Sequence, residues 1–373
     1  MNMPYRSIML LMIVVLLVAS ACGVTPTPTP VPVTRAATAT PAPAAGSVLI
    51  NGAGASFPFP LYSRWFYEYA FVNTSVKFNY QSIGSGGGIK QIKAKTVDFA
   101  GSDAILTEAD YKEVAPAKLQ MLPIVAGAVV PTYNVKELKD KDSLVLDAKT
   151  LADIFLGKIT KWNDAAIATL NPQLALPAKD IVVVHRSDGS GTTYIFTDYL
   201  SSVSGEWKEK VGKSTSVKWP VGLGGKGNEG VAGTVNQTDG SIGYVELAYA
   251  KQNKLQFAKM KNAAGAVVEA NAKTTQNAMA DLGSSMPDTL TVSIVNPPGK
   301  DSWPITGYTY LIIYMDQQDC ARGKAVVDFI KWGVSDAGSK YAMDLEYVPL
   351  PDNVRSLVLA KLDQVTCQGQ PLK

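Results

Sequence analysis

Arg186, Asp188, Ser190 and Thr192 fall together in the run Ile181-Val-Val-Val-His-Arg186-Ser-Asp188-Gly-Ser190-Gly191-Thr192-Thr193-Tyr-Ile-Phe196. A forked cation, a carboxylate able to orient it and two hydroxyls at this spacing suit the capture of a tetrahedral oxyanion. The β-branched residues before Arg186 predict a buried strand that delivers the guanidinium to its C-terminal tip, and helical spacing follows the small polar residues. Ser190, Gly191 and Thr192 then form the first turn of a helix, whose unpaired N–H groups and positive dipole end favour an anion. Taken alone, the run is equally what an ordinary strand–turn–helix looks like. Its weight comes from two further junctions of the same kind.

At the first of these, Val48–Asn51 reads as a short strand before Gly52-Ala-Gly54-Ala-Ser56-Phe57-Pro58-Phe-Pro60. Leu61, Trp65 and Tyr69 then recur at helical spacing, with the prolines tolerated around the first turn. Ser56 and Phe57 therefore offer N–H groups and one hydroxyl at a strand-to-helix junction. At the second, Val76, Phe78 and Tyr80 alternate as a strand, and Gly84-Ser85-Gly86-Gly87-Gly88 forms a Gly-rich loop opening the helix of Ile89–Ile92. It is no nucleoside-triphosphate loop, because the Gly-Lys-Ser/Thr ending is missing. Val97–Asp103 predicts a strand ending in a carboxylate, and on residue type alone Asp103 is as readily a turn or cap residue. A capping box is expected at Thr107–Asp110. The Gly-rich run Gly222–Gly230 is placed at the rim of a cleft, where a loop must pass close to another backbone.

Composition removes several alternatives. With one histidine and a formal charge of +3, neither a histidine-rich metal centre nor a nucleic-acid surface is supported. A hydrolase would need Ser190 as nucleophile and His185 as base. Strand alternation sends His185 and Arg186 to opposite sides, and residues 188–192 do not read Gly-x-Ser-x-Gly. No catalytic residue, metal or cofactor is therefore expected, and the chain is not expected to be an enzyme.

The elements that must position these residues alternate between strand and helix over 373 residues, which makes the fold α/β. Two long apolar stretches, Leu122–Tyr133 and Ser302–Tyr314, predict crossings between two lobes built from discontinuous segments. The expected lobes are 48–126 plus 303–373, and 127–302, with a ligand cleft between them. Ahead of them, Arg6, the apolar Ile8–Val18 and Val18-Ala-Ser-Ala-Cys22 resemble a bacterial lipoprotein signal over residues 1–22, with Cys22 as the lipid anchor. Residues 23–47 form a Pro/Thr/Ala-rich spacer. The picture is a body tethered to the membrane outside the cytoplasm, in the periplasm or on the outer surface. There Cys320 and Cys367, both in polar, loop-like surroundings, pair as a disulfide, the alternative being two free thiols.

Gly52-Ala-Gly-Ala-Ser-Phe-Pro, Tyr80-Gln-Ser-Ile-Gly-Ser-Gly-Gly-Gly, Val97-Asp-Phe-Ala-Gly-Ser-Asp103, Asp188-Gly-Ser-Gly-Thr192, Lys218–Asn228 and Gly243-Tyr-Val-Glu246 are similar to the phosphate-binding proteins of high-affinity phosphate ABC importers. The likeness runs from about Val48 to the C-terminus. It implies a two-lobed periplasmic-binding-protein fold of type II that clamps inorganic phosphate between its lobes and delivers it to a membrane permease, acting as a monomer. By motif, the implied ligands are Ser56, Phe57 through its backbone N–H, Ser85, Asp103, Arg186, Ser190, Gly191 and Thr192, with Asp188 holding Arg186. Ser56 stands where that family often has Thr, and the hydroxyl is retained. Another tetrahedral oxyanion, such as sulfate, arsenate or molybdate, is the alternative ligand.

Overall fold

The computed structural model describes residues 46–139, 141–283 and 286–372. The expected signal segment, Cys22 and most of the spacer lie outside the described residues. The main path of the ten-stranded central sheet is built by β1 (Val48–Gly54), β2 (Val76–Ser82), β3 (Phe99–Ser102), β4 (Leu119–Asn134), β5 (Val182–Arg186), β6 (Leu223–Gly225), β7 (Ser241–Glu246) and β8 (Thr306–Tyr314), and the short strands Gln256–Phe257 and Val348–Pro349 pair with β4 off that path. Their spatial order is β2-β1-β3-β8-β4-β7-β5-β6. β1 is parallel to β2 and β3, and β5 is parallel to β6 and β7, whereas β4 runs antiparallel to both β8 and β7.

β4 explains the first apolar crossing. Its residues Leu119–Ala128 pair with β8, and Val129–Asn134 pair with β7, so one strand serves two half-sheets and changes partner between Ala128 and Val129. Every residue from Met121 to Tyr133 is buried, which is why the stretch reads as continuous apolar sequence and not as alternation. The return crossing lies beside it. Val129 N–H donates to Ile305 C=O at 2.8 Å and the Trp303 indole N–H donates to Val129 C=O at 3.0 Å, just before β8 begins. The result is the two-lobed α/β architecture, with the first half-sheet carrying β1–β3 and β8, and the second carrying β5–β7.

Helices cover these half-sheets as their patterns require. α1 (Phe59–Val72) buries Leu61, Trp65 and Tyr69, the predicted stripe, and carries a proline in its first turn, where no intrahelical N–H is lost. α2 (Ser85–Lys93) begins four residues earlier than the expected start at Ile89, so Gly86, Gly87 and Gly88 are helical and not loop. Packing is the reason: a Cβ on Gly88 would lie 2.5 Å from Gly54 Cα and 2.6 Å from Ala53 O, so only glycine lets this helix close onto β1. Within Gly84–Gly88 it is Gly84 alone, at φ 80°, that needs glycine for its backbone angle. The capping box at Thr107 forms, its hydroxyl accepting from Asp110 N–H while the Asp110 carboxylate accepts from Thr107 N–H.

Cys320 and Cys367 are joined in a disulfide. Their setting differs from the loop-like one expected. Cys320 opens the helix Cys320–Gly333, capped by Asp319, and Cys367 sits in a two-residue strand parallel to Asp316–Gln317. Polar capping and edge residues there mimic loop composition. Among the described residues no helix is long and apolar enough to cross a membrane.

Candidate functional site

The β5 tip performs as its sequence predicts. Arg186 ends the strand with its side chain 1% exposed, and its Nε and Nη2 donate to the two Asp188 oxygens at 2.7 and 2.5 Å. Burial alone would raise the Asp188 carboxyl, but these two bonds and the N–H of Gly227 hold it below the usual carboxylate range. The guanidinium is thereby fixed in one plane, with donors left on both terminal nitrogens. α3 (Gly191–Val203) follows at once. Ser190 is its N-cap and not part of its first turn: the Ser190 hydroxyl accepts from Thr193 N–H at 3.0 Å. Gly191 and Thr192 open the helix, their N–H groups free by helix geometry. His185 turns away, stacking on Trp219 at 4.8 Å between ring centroids.

The opposite wall comes from the first half-sheet. Ser56 and Phe57 lie between β1 and α1. The Phe57 ring is in the core, 6.1 Å from the Tyr347 ring, so only its backbone is available to a cleft. Ser85 opens α2, and its hydroxyl accepts from Asp103 N–H at 3.2 Å. Asp103, immediately after β3, is 3% exposed. Its Oδ1 accepts from the Thr309 hydroxyl at 2.7 Å, while its Oδ2 is buried with no hydrogen-bond partner. Burial pushes this carboxyl up to about 7, against the opposing pull of the Thr309 hydrogen bond and the Arg186 charge.

The two walls meet. Gly86 N–H donates to Gly189 C=O at 2.9 Å, and a Cβ on Gly191 would overlap both Asp103 Oδ2 and Ser85 Oγ, so glycine is required there by close approach. All the expected site residues, Ser56, Phe57, Ser85, Asp103, Arg186, Asp188, Ser190, Gly191 and Thr192, therefore gather in one place.

Two members of this cluster were not foreseen. The run Gly222–Gly230 is no loop at a rim: it forms β6 and the start of α4 (Gly227–Gln237), and Asn228 is fully buried at the centre of the site. Its amide Nδ2 donates to Ser56 Oγ at 2.9 Å and to Thr192 Oγ1 at 3.0 Å, and its backbone N–H donates to Ser56 Oγ at 3.1 Å. Its Oδ1 accepts from Glu246 N–H at 3.0 Å, which fixes the orientation of the amide. Thr309, within the apolar return crossing, is the other. The family-like segment containing Asn228 was the available signal; for Thr309 there was none.

Hydrogen counting shows what the cluster can do. Ser56 Oγ already accepts twice from Asn228, and Thr192 Oγ1 accepts from Asn228 and from Arg186 Nη1 at 3.4 Å. Ser85 and Ser190 each accept once from backbone. With lone pairs engaged, these hydroxyls keep their protons for something else, and each becomes a donor. Beside Arg186 and the opening of α3, the site is rich in donors, and the one carboxylate oxygen among these residues without a partner is Asp103 Oδ2. That is the complement of an oxyanion carrying one O–H. Among the described residues no cluster of histidine, cysteine or carboxylate side chains could hold a metal ion.

This architecture, with its donor-rich cluster between two half-sheets, is that of a two-lobed α/β binding protein for an oxyanion. A sequence model of the PBP superfamily domain matches residues 37–337. The chain is 51% identical over 305 residues to the phosphate-binding protein PstS of Xylella fastidiosa strain 9a5c, covering 82% of each chain. It is 47% identical over 312 residues to PstS of Pasteurella multocida, covering 84% of this chain and 89% of the relative. The crystal structure of a phosphate-binding protein from Stenotrophomonas maltophilia, 22% identical, superposes with a TM-score of 0.63 over 84% of this chain and 94% of that one, a likeness of fold. The chain belongs to the PBP superfamily and, within it, to the PstS phosphate-binding proteins.

Proposed function

We propose that this protein binds inorganic phosphate outside the cytoplasm and hands it to the permease of an ABC-type importer, with no catalytic step. The observation that carries the reading is the unpartnered, buried Oδ2 of Asp103 facing a wall of donors. Phosphate near neutral pH offers acceptors to Arg186, Ser56, Ser85, Ser190, Thr192 and the N–H groups of Phe57, Gly191 and Thr192. It also keeps at least one O–H for Asp103. Sulfate has no proton to offer and would set its lone pairs against those of a carboxylate.

The ligand set is that of residues 56, 57, 85, 103, 186, 190, 191 and 192, with Asp188 holding Arg186. The moving bodies in this reading are 48–126 plus 303–373, and 127–302, hinged at the two crossings beside Val129 and closing on the anion. The protein acts as a monomer, tethered at Cys22 through the 23–47 spacer after a 1–22 signal. Calorimetric titration of phosphate against sulfate tests the reading: one phosphate per chain, with sulfate displaced, is expected. Equal binding of the two anions would refute it.

A further inference from the structure

Glu246 ends β7 and caps α5 (Leu247–Gln252), its Oε2 accepting from Ala248 N–H at 2.9 Å. Nothing in the proposed anion contacts uses its carboxyl, yet it is fully buried where the half-sheets meet. Oε2 also lies 2.9 Å from the hydroxyl of Tyr347, a residue of the C-terminal segment on the other side of the cleft. Its Oε1 is buried with no partner.

The hydrogens can be counted. The Tyr347 hydroxyl is 2.7 Å from Phe57 C=O, and a carbonyl can only accept. The single hydroxyl proton is therefore committed to Phe57. The contact between Tyr347 and Glu246 then needs a second proton, and only the carboxyl can supply it. The surroundings favour the same state. Facing Glu246 are Tyr347, Tyr249 on its own helix and, across the interior, Asp103 after β3. Tyr249 in turn feels Glu229 of α4, and Arg186 is bound to Asp188. Asn228 presents only its neutral amide oxygen, to the Glu246 N–H, and Lys251 and Glu346 pair with each other farther along the boundary. Burial first, and the Asp103 charge in addition, hold the Glu246 carboxyl well above the ordinary range, despite the opposing hydrogen bonds.

We propose that Glu246 is a protonated clasp between the lobes: in the closed cleft its carboxyl donates a proton to Tyr347, which holds the Phe57 carbonyl, and it releases that proton to solvent when the lobes part. Glu246 is thus a positioning residue. It acts through Tyr347 on the backbone between Phe57 and Pro58, while Tyr249 donates to Ser56 C=O at 2.7 Å from the same helix and fixes the preceding peptide. A trans peptide whose C=O is held in one direction presents its N–H in the other, so this bond aims the Phe57 N–H. The Glu246–Tyr347 and Tyr249–Ser56 contacts each join 127–302 to the other body and are lost when the two part, whereas Tyr347 and Phe57 belong to one body. Neutrality also keeps a second negative charge away from the bound anion.

The inference rests on the phosphate-binding reading and predicts a proton balance. Closure takes up a proton at Glu246, so its contribution to binding is complete at low pH and weakens as pH rises above the open-state carboxyl range, by up to about tenfold per pH unit. Phosphate should be titrated into the wild-type protein and Glu246→Gln at several pH values, in buffers of different ionisation enthalpy. Gln can donate to Tyr347 but cannot titrate. The wild type is expected to take up about one more proton per phosphate than Glu246→Gln near neutral pH, and its affinity to fall more steeply with pH. Equal uptake and parallel profiles would overturn the clasp while leaving phosphate binding intact. Failure of the wild type to bind phosphate would instead remove the functional reading. Should Glu246→Gln not fold, Tyr347→Phe serves: it removes the acceptor for the Glu246 proton, and weaker binding with diminished proton uptake is expected. Unchanged affinity and uptake in that variant would equally overturn the clasp.

Discussion

Asp188 and Asp103 stand on opposite walls of one cleft, 13% exposed at the side chain and 3% exposed respectively, and their carboxyl groups are held in opposite directions. Burial raises both. For Asp188 two charge-assisted bonds from Arg186 reverse the effect, whereas for Asp103 one neutral hydroxyl, Thr309, and a more distant Arg186 do not. Asp188 is thus a fixed anion that shapes a cation, and Asp103 is an acceptor poised near neutrality. Burial costs any carboxylate; the partner decides whether it stays charged.

The largest effect should follow from removing the cation that separates the two acids. Arg186→Ala leaves Asp188 without its partner and the anion without its fork, and is expected to weaken phosphate binding by about 2–5 kcal/mol, which is roughly 30- to 5,000-fold. Calorimetry showing wild-type affinity would place the anion elsewhere.

Changing the other wall should alter selectivity more than strength. Asp103→Asn replaces a negative acceptor by an amide that can also donate. A site built to pair a ligand hydroxyl can reject the analogue lacking it by about 10⁴-fold, and the variant is expected to lose on the order of 10² of that ratio. Competition of sulfate against phosphate at one pH and salt concentration measures it; an unchanged ratio means that Asp103 does not discriminate.

Asp188→Asn sharpens the contrast with less force. The guanidinium keeps one oxygen partner and loses the charge that fixes it, and phosphate affinity should fall by about 1–2 kcal/mol, with the phosphate-to-sulfate ratio nearly constant. A changed ratio would show that the walls are not separable.

The smallest effect is on stability without ligand. The folded-state pKa of Asp103 lies above its ordinary value, so the native protein holds a proton that the unfolded chain releases. Its contribution to stability is present in full below the unfolded carboxylate pKa and is lost as pH rises through about 7. Melting temperature should therefore fall between pH 5 and pH 8, and fall less in Asp103→Asn. Glu246 is the same residue in both proteins, so the difference between their slopes isolates Asp103. Identical slopes would mean that Asp103 is charged in the ligand-free protein throughout.

How much of this was legible follows sequence distance. Arg186 and Asp188 are two residues apart, and Ser190 and Thr192 follow at once, so a strand, a turn and a helix start suffice to bring them together. The hydroxyls of Ser56 and Ser85 were visible for the same local reason, each at its own strand-to-helix junction. Glycine was the ambiguous signal. Gly86–Gly88 reads as a loop and is a helix pressed onto β1, and Gly222–Gly230 reads as a rim and delivers Asn228 to the centre.

The local frames follow from residue order alone: alternation and helical spacing, continuous apolar crossings, and hydroxyls and glycines where strands give way to helices. Those signals are carried by neighbours within a turn or a strand, where geometry is nearly fixed. Which atoms face each other is set by long-range packing. Asn228 meets Ser56 across 172 residues, Thr309 meets Asp103 across 206, and Tyr347 meets Phe57 across 290. Whether a carboxyl there is charged depends on the partner and the solvent exclusion that such meetings create, and neither is a property of the residues around it in the chain.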